Sequence, residues 1–210
     1  MIDNVMVNAQ SSIRIQGRNC VVYFDPYEIT EDRHDADTVF LTHDHPDHFS
    51  PADIGQVKKE DTLLIVPKNM YEKALDQSGI SKDNIIAVNP GQIKEIVGGK
   101  IIETVPAYNR RRLVHPKRAG WCGYLISVDD VRYYVAGDTD ALVENYRINC
   151  DVALVPIGGK YTMNVKDAAV LINQIRPQYV IPTTYDKTEL IERFQTNVDE
   201  RVKIEIKLPY

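Results

Sequence analysis

The chain contains little cysteine. Its 210 residues include three cysteines, Cys20, Cys122 and Cys150, which lie far apart in the sequence. A small, odd and scattered set of this kind excludes a disulfide framework. Each of the three stands beside apolar residues, so we expect buried thiols that pack as small hydrophobic side chains. This use of cysteine is typical of a reducing compartment and predicts a cytoplasmic protein.

Long apolar runs and an excess of positive charge are missing as well. No stretch approaches the ~18 consecutive apolar residues of a membrane helix, and the N-terminal segment lacks the basic and apolar regions of a secretory signal. The formal net charge of −5 excludes a broad electrostatic footprint for nucleic acid. We therefore expect neither a membrane nor a nucleic acid as partner, whereas a homo-oligomer stays compatible with the sequence.

Apolar residues are frequent enough to build a core. Hydrophobic residues make up 43% of the chain and charged residues 26%, which are ordinary values for a globular protein and exclude disorder as the main state. At this length, one domain covering residues 1–210 is the expected organisation.

Short strands dominate the predicted secondary structure. Strands are predicted at residues 5–7, 12–15, 20–24, 38–41, 63–66, 85–88, 92–97, 100–105, 124–128, 131–135, 152–155, 179–181 and 202–208. Helices are predicted from a Ser50 N-cap to about residue 59, and at 69–77, 165–175 and 188–194. This order of elements favours two sheets packed together with helices outside.

The clearest chemistry lies in Thr42-His43-Asp44-His45-Pro46-Asp47-His48, directly after a short apolar strand. His43 and His45 are two residues apart, so in an extended segment their imidazoles point the same way. Three imidazoles and the Asp47 carboxylate at one strand end suit Zn²⁺ or a similar metal. A solvated polar loop is the alternative interpretation.

An HxHxDH motif after an apolar strand resembles the metallo-β-lactamase superfamily, and the similarity extends over nearly the whole chain. Tyr23-Phe24-Asp25-Pro26 resembles an early family strand, and Ala136-Gly137-Asp138-Thr139 resembles the segment whose aspartate bridges two metals. Residues 105–109 and 156–163 resemble a branch of small hydrolases related to ascorbate-6-phosphate lactonase. The resemblance implies an α/β (α+β) fold, namely a four-layer αββα sandwich with the metals at one edge between the sheets.

The resemblance also implies a role for each ligand. His43 and His45 would hold a first metal together with a third, downstream histidine, and Asp47 and His48 would hold a second. Asp138 would bridge the two metals, and Asp47 would also orient the attacking water. Metals about 3.5–4 Å apart share a hydroxide that attacks an ester, lactone or phosphoester. The implied cofactor is one or two zinc ions, with Mn, Ni or Fe as alternatives.

Two candidate ligand positions depart from the family pattern. Relatives carry a histidine where this chain has Asn109, and we expect His115, six residues later, to supply the third imidazole through a loop detour. A loop histidine that faces solvent or substrate is the alternative. Thr184 occupies the position of a late family histidine, and its neutral hydroxyl is a poor zinc ligand. The second metal is therefore expected to be weakly bound, completed by water, or absent.

Two loops are candidates for substrate binding. A local basic patch surrounds His115 and consists of Arg110, Arg111, Arg112, Lys117 and Arg118. Arg112 is expected to contact a phosphate or carboxylate, and the loop with Gly159 and Tyr161 offers backbone amides to an anion. Asn109 and Thr184 complete the candidate set. A solvated loop and a tight structural turn are the respective alternatives.

The predicted function is hydrolysis of a small anionic ester, lactone or phosphodiester by a metal-bound hydroxide. Two alternatives stay open. One is a degenerate single-metal or metal-free protein that binds or senses a ligand without turnover, which Thr184 and Asn109 motivate. The other is an RNA-processing nuclease with the same metal core, against which the net charge argues.

Overall fold

The computed structural model describes residues 2–96, 99–110 and 112–208 of the chain. Within these ranges the chain forms two sheets and four α-helices. Two residues of the sequence predictions, Val97 of a strand and Arg111 of the basic patch, lie outside the described residues. In the described part of the chain, no helix has the length and the apolar character needed to cross a membrane.

The first sheet comes from the first half of the chain. Its six strands lie in sequence order: β1 (Val5–Val7), β2 (Ile13–Gln16), β3 (Val21–Phe24), β4 (Ala36–Phe40), β5 (Lys58–Pro67) and β6 (Ile85–Val88). The pairs from β1 to β3 are antiparallel, and the pairs from β3 to β6 are parallel. The carboxyl ends of β3 and β4 therefore lie side by side at one edge of the sheet.

The second sheet comes from the second half and also keeps sequence order. Its strands are β7 (Ile93–Ile96), β8 (Lys100–Pro106), β9 (Cys122–Val128), β10 (Val131–Val135), β11 (Val152–Pro156), β12 (Tyr179–Thr183) and β13 (Lys203–Ile204). The pairs from β7 to β10 are antiparallel, and those from β10 to β13 are parallel. The carboxyl ends of β10, β11 and β12 therefore share one edge.

Four α-helices connect and cover the sheets: α1 (Pro51–Val57), α2 (Tyr71–Gln77), α3 (Val165–Ile175) and α4 (Thr188–Gln195). The start of α1 follows the predicted signals, because the Ser50 side chain accepts a hydrogen bond from the backbone N–H of Asp53 and a proline opens the helix. The Asn164 side chain caps α3 in the same way, accepting from two backbone N–H groups of the first turn.

Alternating side chains give the first sheet two buried faces. Val39 of β4 and the adjoining Leu41 pack with Ile54 of α1, whereas Phe40 between them belongs to the core shared with the second sheet. On the far side, α3 packs on β11 and on α4. The layers thus run helix, sheet, sheet, helix, which confirms the predicted αββα sandwich.

The last strand is shorter than its sequence pattern indicates. The alternation at 202–208 predicts a full strand, but only Lys203–Ile204 pairs with β12. The backbone N–H of Glu205 still donates to the Val180 carbonyl over 2.9 Å. The next bond of this parallel ladder would need an N–H from Pro182, which proline lacks. A residue in the partner strand therefore ends the pairing.

The cysteines are free thiols, as expected. Cys122 and Cys150 are buried, and Cys20 is partly buried. Burial raises the pKa of both Cys122 and Cys150 to about 12. These two thiols therefore stay protonated near neutral pH and pack as small hydrophobic groups.

Candidate metal centre

The three histidines of the HxHxDH motif lie at the carboxyl end of β4, between the two sheets. Two hydrogen bonds fix this strand end to the second sheet: the backbone N–H of Cys122 donates to the Thr42 carbonyl, and the Tyr124 hydroxyl donates to the Leu41 carbonyl. The chain then turns, since the His45 carbonyl accepts from the N–H groups of His48 and Phe49. The motif is thus held by hydrogen bonds to the second sheet just before it and by the turn within it.

Asp25, at the end of β3, is the buried anchor of the motif. One carboxylate oxygen accepts the backbone N–H of Thr42 at 2.7 Å, and the other accepts the Thr42 hydroxyl at 2.6 Å and His48 Nδ1 at 2.8 Å. Its backbone adopts a left-handed φ of 43°, which is uncommon for a non-glycine residue. The carboxylate therefore orients His48 and leaves the opposite ring nitrogen, Nε2, directed away.

The same network sets the proton position on His43. The single hydroxyl proton of Thr42 goes to Asp25, so the 2.9 Å contact between Thr42 Oγ1 and His43 Nδ1 requires that the ring nitrogen donates. His43 Nε2 then carries a lone pair. Burial and the neighbouring histidines lower the pKa of His43 well below its usual value, which keeps this ring neutral.

His115 reaches the same place from the loop after β8. Its Nδ1 donates to Asn109 Oδ1 at 2.9 Å, and Asn109 Nδ2 donates in turn to Asp140 at 3.0 Å. The ring is buried, and burial together with the charges of His45 and His48 lowers the pKa of His115 to about 4. A neutral imidazole that donates through Nδ1 again presents a lone pair at Nε2.

The ring nitrogens of His43, His45 and His115 converge. One ligand atom from each lies within 4.8 Å of the others, and His43 Nε2 and His115 Nε2 are 3.4 Å apart. Two nitrogens bound to one tetrahedral zinc ion at about 2.0–2.1 Å would be roughly 3.3–3.4 Å apart. Trp121 packs against all three rings, at centroid distances of 5.1 to 5.4 Å.

Asp138 lies between the two halves of the cluster, just past the end of β10. One of its oxygens is 3.5 Å from His115 Nε2, and the other is 3.6 Å from His48 Nε2. Burial raises the pKa of Asp138 to about 6. Although burial lowers the pKa of His48, Asp138 and Asp25 outweigh it and raise this pKa to about 9.

Two buried atoms of this pair have no hydrogen-bond partner among the described residues: His48 Nε2 and Asp138 Oδ1. Buried polar atoms without partners are costly, and a bound cation would satisfy both. The residues present therefore fit a metal group. Asp47 adds a half-exposed carboxylate 3.8 Å from His48 Nε2.

A cavity of about 330 Å³ opens beside these groups. Its wall includes the predicted ligands Asp47 and Asp138 and the predicted substrate residues Tyr161 and Thr184. The other lining residues are Gln10, Tyr27, Glu28, Gly158, Lys160, Thr162, Tyr185 and Asp186. The structure thus brings the HxHxDH motif, Asp138 and the late loop to one place.

Thr184 is held in position by Ser11. Their hydroxyl oxygens are 2.6 Å apart, and the Thr184 N–H donates to the Gln10 carbonyl at 3.1 Å. The threonine has a left-handed φ of 50°. Its carbonyl lies only 2.3 Å from the place a Cβ on Gly158 would occupy, so only glycine fits opposite this turn without a backbone shift.

Two of the residues predicted to bind substrate make hydrogen bonds to other parts of the protein. Both amide ends of Asn109 are bound to His115 and Asp140, and the residue is buried. The Arg112 guanidinium donates to the carbonyls of Gly159 and Lys160, at 3.0 and 2.7 Å, and so joins the two loops. These hydrogen bonds within the protein argue against substrate binding by Asn109 or Arg112, which stays a prediction.

Two further residues of the basic patch are engaged or exposed. Lys117 lies over the Tyr108 ring and 3.3 Å from Glu144, and Arg118 is exposed. His34, predicted at the surface, is exposed. No local pattern singles out Asp140, whereas the Asp-Pro pair at a predicted strand end indicated Asp25.

Comparisons with known proteins agree with this geometry. The model of a family described as the beta-lactamase superfamily domain matches residues 5–184. A UPF0173 metal-dependent hydrolase of Pyrococcus horikoshii is 33% identical over 190 residues, covering 85% of this chain and 81% of the relative. A second UPF0173 metal-dependent hydrolase, from Methanopyrus kandleri, is 30% identical over 212 residues, covering 92% of this chain and 89% of the relative.

Solved structures share the fold. A crystal structure from Parabacteroides distasonis, described as that of a metal-dependent hydrolase, superposes with a TM-score of 0.83 at 26% identity, over 98% of this chain and 93% of the other. The chain belongs to the metallo-β-lactamase superfamily. Within it, this chain is similar to the UPF0173 proteins. The link to ascorbate-6-phosphate lactonase stays a prediction.

Proposed function

We propose that this chain, a metal-dependent hydrolase of the metallo-β-lactamase superfamily, cleaves a small anionic ester, lactone or phosphodiester with zinc at the first metal position. The proposal depends chiefly on one observation. His43 and His115 each donate through Nδ1 to a protein acceptor, so their Nε2 lone pairs converge with His45. Such second partners fix the tautomer of metal-binding histidines.

Each group has a chemical task in this proposal. A bound metal would polarise the scissile group and lower the pKa of a water molecule. Asp47, half-exposed at the cavity wall, would orient the attacking water and accept its proton. Lys160 lines the same cavity and would contact an anionic end of the substrate, since an ammonium binds anions as a point charge.

The test uses a panel of chromogenic substrates: an aryl ester, a lactone and an aryl phosphodiester. Purified zinc-loaded protein is expected to hydrolyse at least one of them. His43→Ala should lose both bound zinc and this activity. His34→Ala is the matched control, because the His34 side chain is exposed and contacts the Lys58 carbonyl and Asp32; it should keep both. Activity that survives in zinc-free His43→Ala would overturn the proposal.

Binding without turnover is the alternative that one observation favours. The Thr184 hydroxyl stands where the family resemblance leads us to expect a histidine, and it is already bonded to Ser11. If the metal-loaded protein hydrolyses none of the panel, yet a member of the panel shifts its melting temperature, this second function gains support.

A further inference from the structure

We infer that the two metal positions of this chain take cations of different chemical class. The first is an imidazole site for zinc. The second is an oxygen-rich site for an exchangeable hard cation such as Mn²⁺, completed by water and not by Thr184. This inference shares with the proposed function only the premise that metals bind here. It concerns which ions bind, and hydrolysis is not needed to test it.

The first position has the ligands of a zinc site. Three neutral imidazoles from His43, His45 and His115 converge there, and two of them are fixed by hydrogen bonds to Thr42 and Asn109. Zn²⁺ prefers a tetrahedral set of nitrogen and sulfur ligands. The His43 and His115 rings are buried, so solvent has little access to the ion.

The second position has a different set of atoms. His48 supplies the single imidazole nitrogen, and Asp138 and Asp47 supply carboxylate oxygens, at 3.6 and 3.8 Å from that nitrogen. Buried His48 Nε2 and Asp138 Oδ1 lack hydrogen-bond partners within the described ranges, and a cation held by both atoms would satisfy them. Carboxylate and water ligands suit Mg²⁺ and Mn²⁺, whereas imidazole and thiolate ligands suit zinc.

Thr184 does not supply a second nitrogen. Its hydroxyl is neutral and lies 2.6 Å from the hydroxyl of buried Ser11. The backbone N–H is bound to Gln10 as well, which fixes the turn. The remaining coordination positions therefore face the open cavity lined by Asp47, Thr184 and Asp186. Hard cations such as Mg²⁺ keep several water ligands, and these would occupy that side.

The experiment counts metals. Metal-free full-length protein is loaded with excess Zn²⁺, passed through a desalting column and analysed for zinc. The zinc-loaded protein is then titrated with Mn²⁺, and free Mn²⁺ is followed by its electron paramagnetic resonance signal. We expect one retained zinc per chain and one bound Mn²⁺ per chain. Two retained zinc ions in the natural sequence, or no bound Mn²⁺, would overturn the inference.

Two substitutions at one residue refine the test. Thr184→His restores an imidazole and should convert the count to two retained zinc ions; histidine tolerates the left-handed backbone there better than a β-branched residue. Thr184→Val removes only the hydroxyl and should bind Mn²⁺ with unchanged affinity. Loss of Mn²⁺ binding in Thr184→Val would show that the Thr184 hydroxyl is a ligand. It would contradict the inference that water molecules fill the remaining coordination positions.

The counts separate this inference from the proposed function. One zinc and one Mn²⁺ without hydrolysis of any substrate would refute the hydrolase proposal and leave the inference standing. Hydrolysis by a protein that retains two zinc ions would support the hydrolase proposal and refute the inference about the second metal. If Thr184→His does not fold, as judged by circular dichroism, the counts for the natural sequence and Thr184→Val still decide.

Discussion

At the scale of single residues, Asp25 connects the fold to the candidate chemistry. Asp25 is distant in sequence from the HxHxDH motif. Its carboxylate nevertheless accepts three hydrogen bonds from Thr42 and His48. Through Thr42 it also sets the tautomer of His43. One buried carboxylate therefore orients a histidine at each of the two candidate metal positions, as the second partners of metal-binding histidines commonly do.

Asp25→Asn should damage both stability and metal binding. The amide would direct an NH₂ group at the Thr42 hydroxyl and His48 Nδ1, which are themselves donors. We expect a loss of about 2–3 kcal/mol in the free energy of unfolding of the metal-free protein. Metal affinity should fall roughly 10–100-fold. Urea unfolding and competition with a chelator measure the two effects.

Asp130→Asn is the matched control for Asp25→Asn, because the Asp130 side chain is fully exposed. Its unfolding free energy should stay within about 0.5 kcal/mol of the natural sequence. If Asp25→Asn behaves like this control in both measurements, Asp25 does not orient the metal-binding histidines.

At the scale of elements, loops that follow strands of both sheets build the site. The loop after β8 returns on itself because the Asn109 N–H donates to the His115 carbonyl at 2.7 Å, which brings the His115 imidazole back beside Asn109. The loop after β11 passes so close to the turn after β12 that Gly158 has no room for a side chain beside the Thr184 carbonyl.

Gly158→Ala and Gly55→Ala should therefore have opposite effects. A Cβ on Gly158 would meet a backbone carbonyl at 2.3 Å, whereas a Cβ on Gly55, inside α1, meets nothing within 4 Å. We expect Gly158→Ala to destabilise the fold by about 1–3 kcal/mol. Gly55→Ala should stabilise it by about 0.4–1 kcal/mol. Thermal unfolding of both variants checks this, and a stable Gly158→Ala would refute the close approach.

At the scale of the whole molecule, aromatic side chains join the two sheets behind the site. Phe40 stacks on Phe24 at a centroid distance of 4.8 Å and meets Tyr124 of the second sheet edge-on at 4.9 Å. All three are fully buried. Because β4 carries His43 at its end and β9 leads from the His115 loop, this packing also sets the distance between the two ligand segments.

Phe40→Ala should cost about 3–5 kcal/mol of unfolding free energy, the range for truncating a buried phenylalanine. Ile93→Ala is the control, since Ile93 is 73% exposed and its truncation should change stability by less than about 0.5 kcal/mol. Denaturant titration of both variants measures the difference. Equal values for the two would contradict a core shared between the sheets.

Much of the fold follows from local sequence signals. The helix 165–175 and the strands at 5–7, 85–88 and 131–135 match the described elements, because capping residues and short apolar runs act over a few positions. The strand predicted at 202–208 did not match, since Pro182, in another segment, ends its pairing. A local sequence pattern does not predict how a segment pairs with a distant one.

Three features of the candidate chemistry come from the sequence alone: the HxHxDH spacing, the Gly137-Asp138 pair and a threonine at position 184. These are covalent facts of order and residue type. Which of these atoms meet depends on how the chain folds. Asp25, Asn109 and Asp140 obtain their partners through contacts across the sheets and loops, and the direction of a ring nitrogen depends on those hydrogen bonds. Distances of a few ångströms between remote segments arise from packing, which no spacing along the chain specifies.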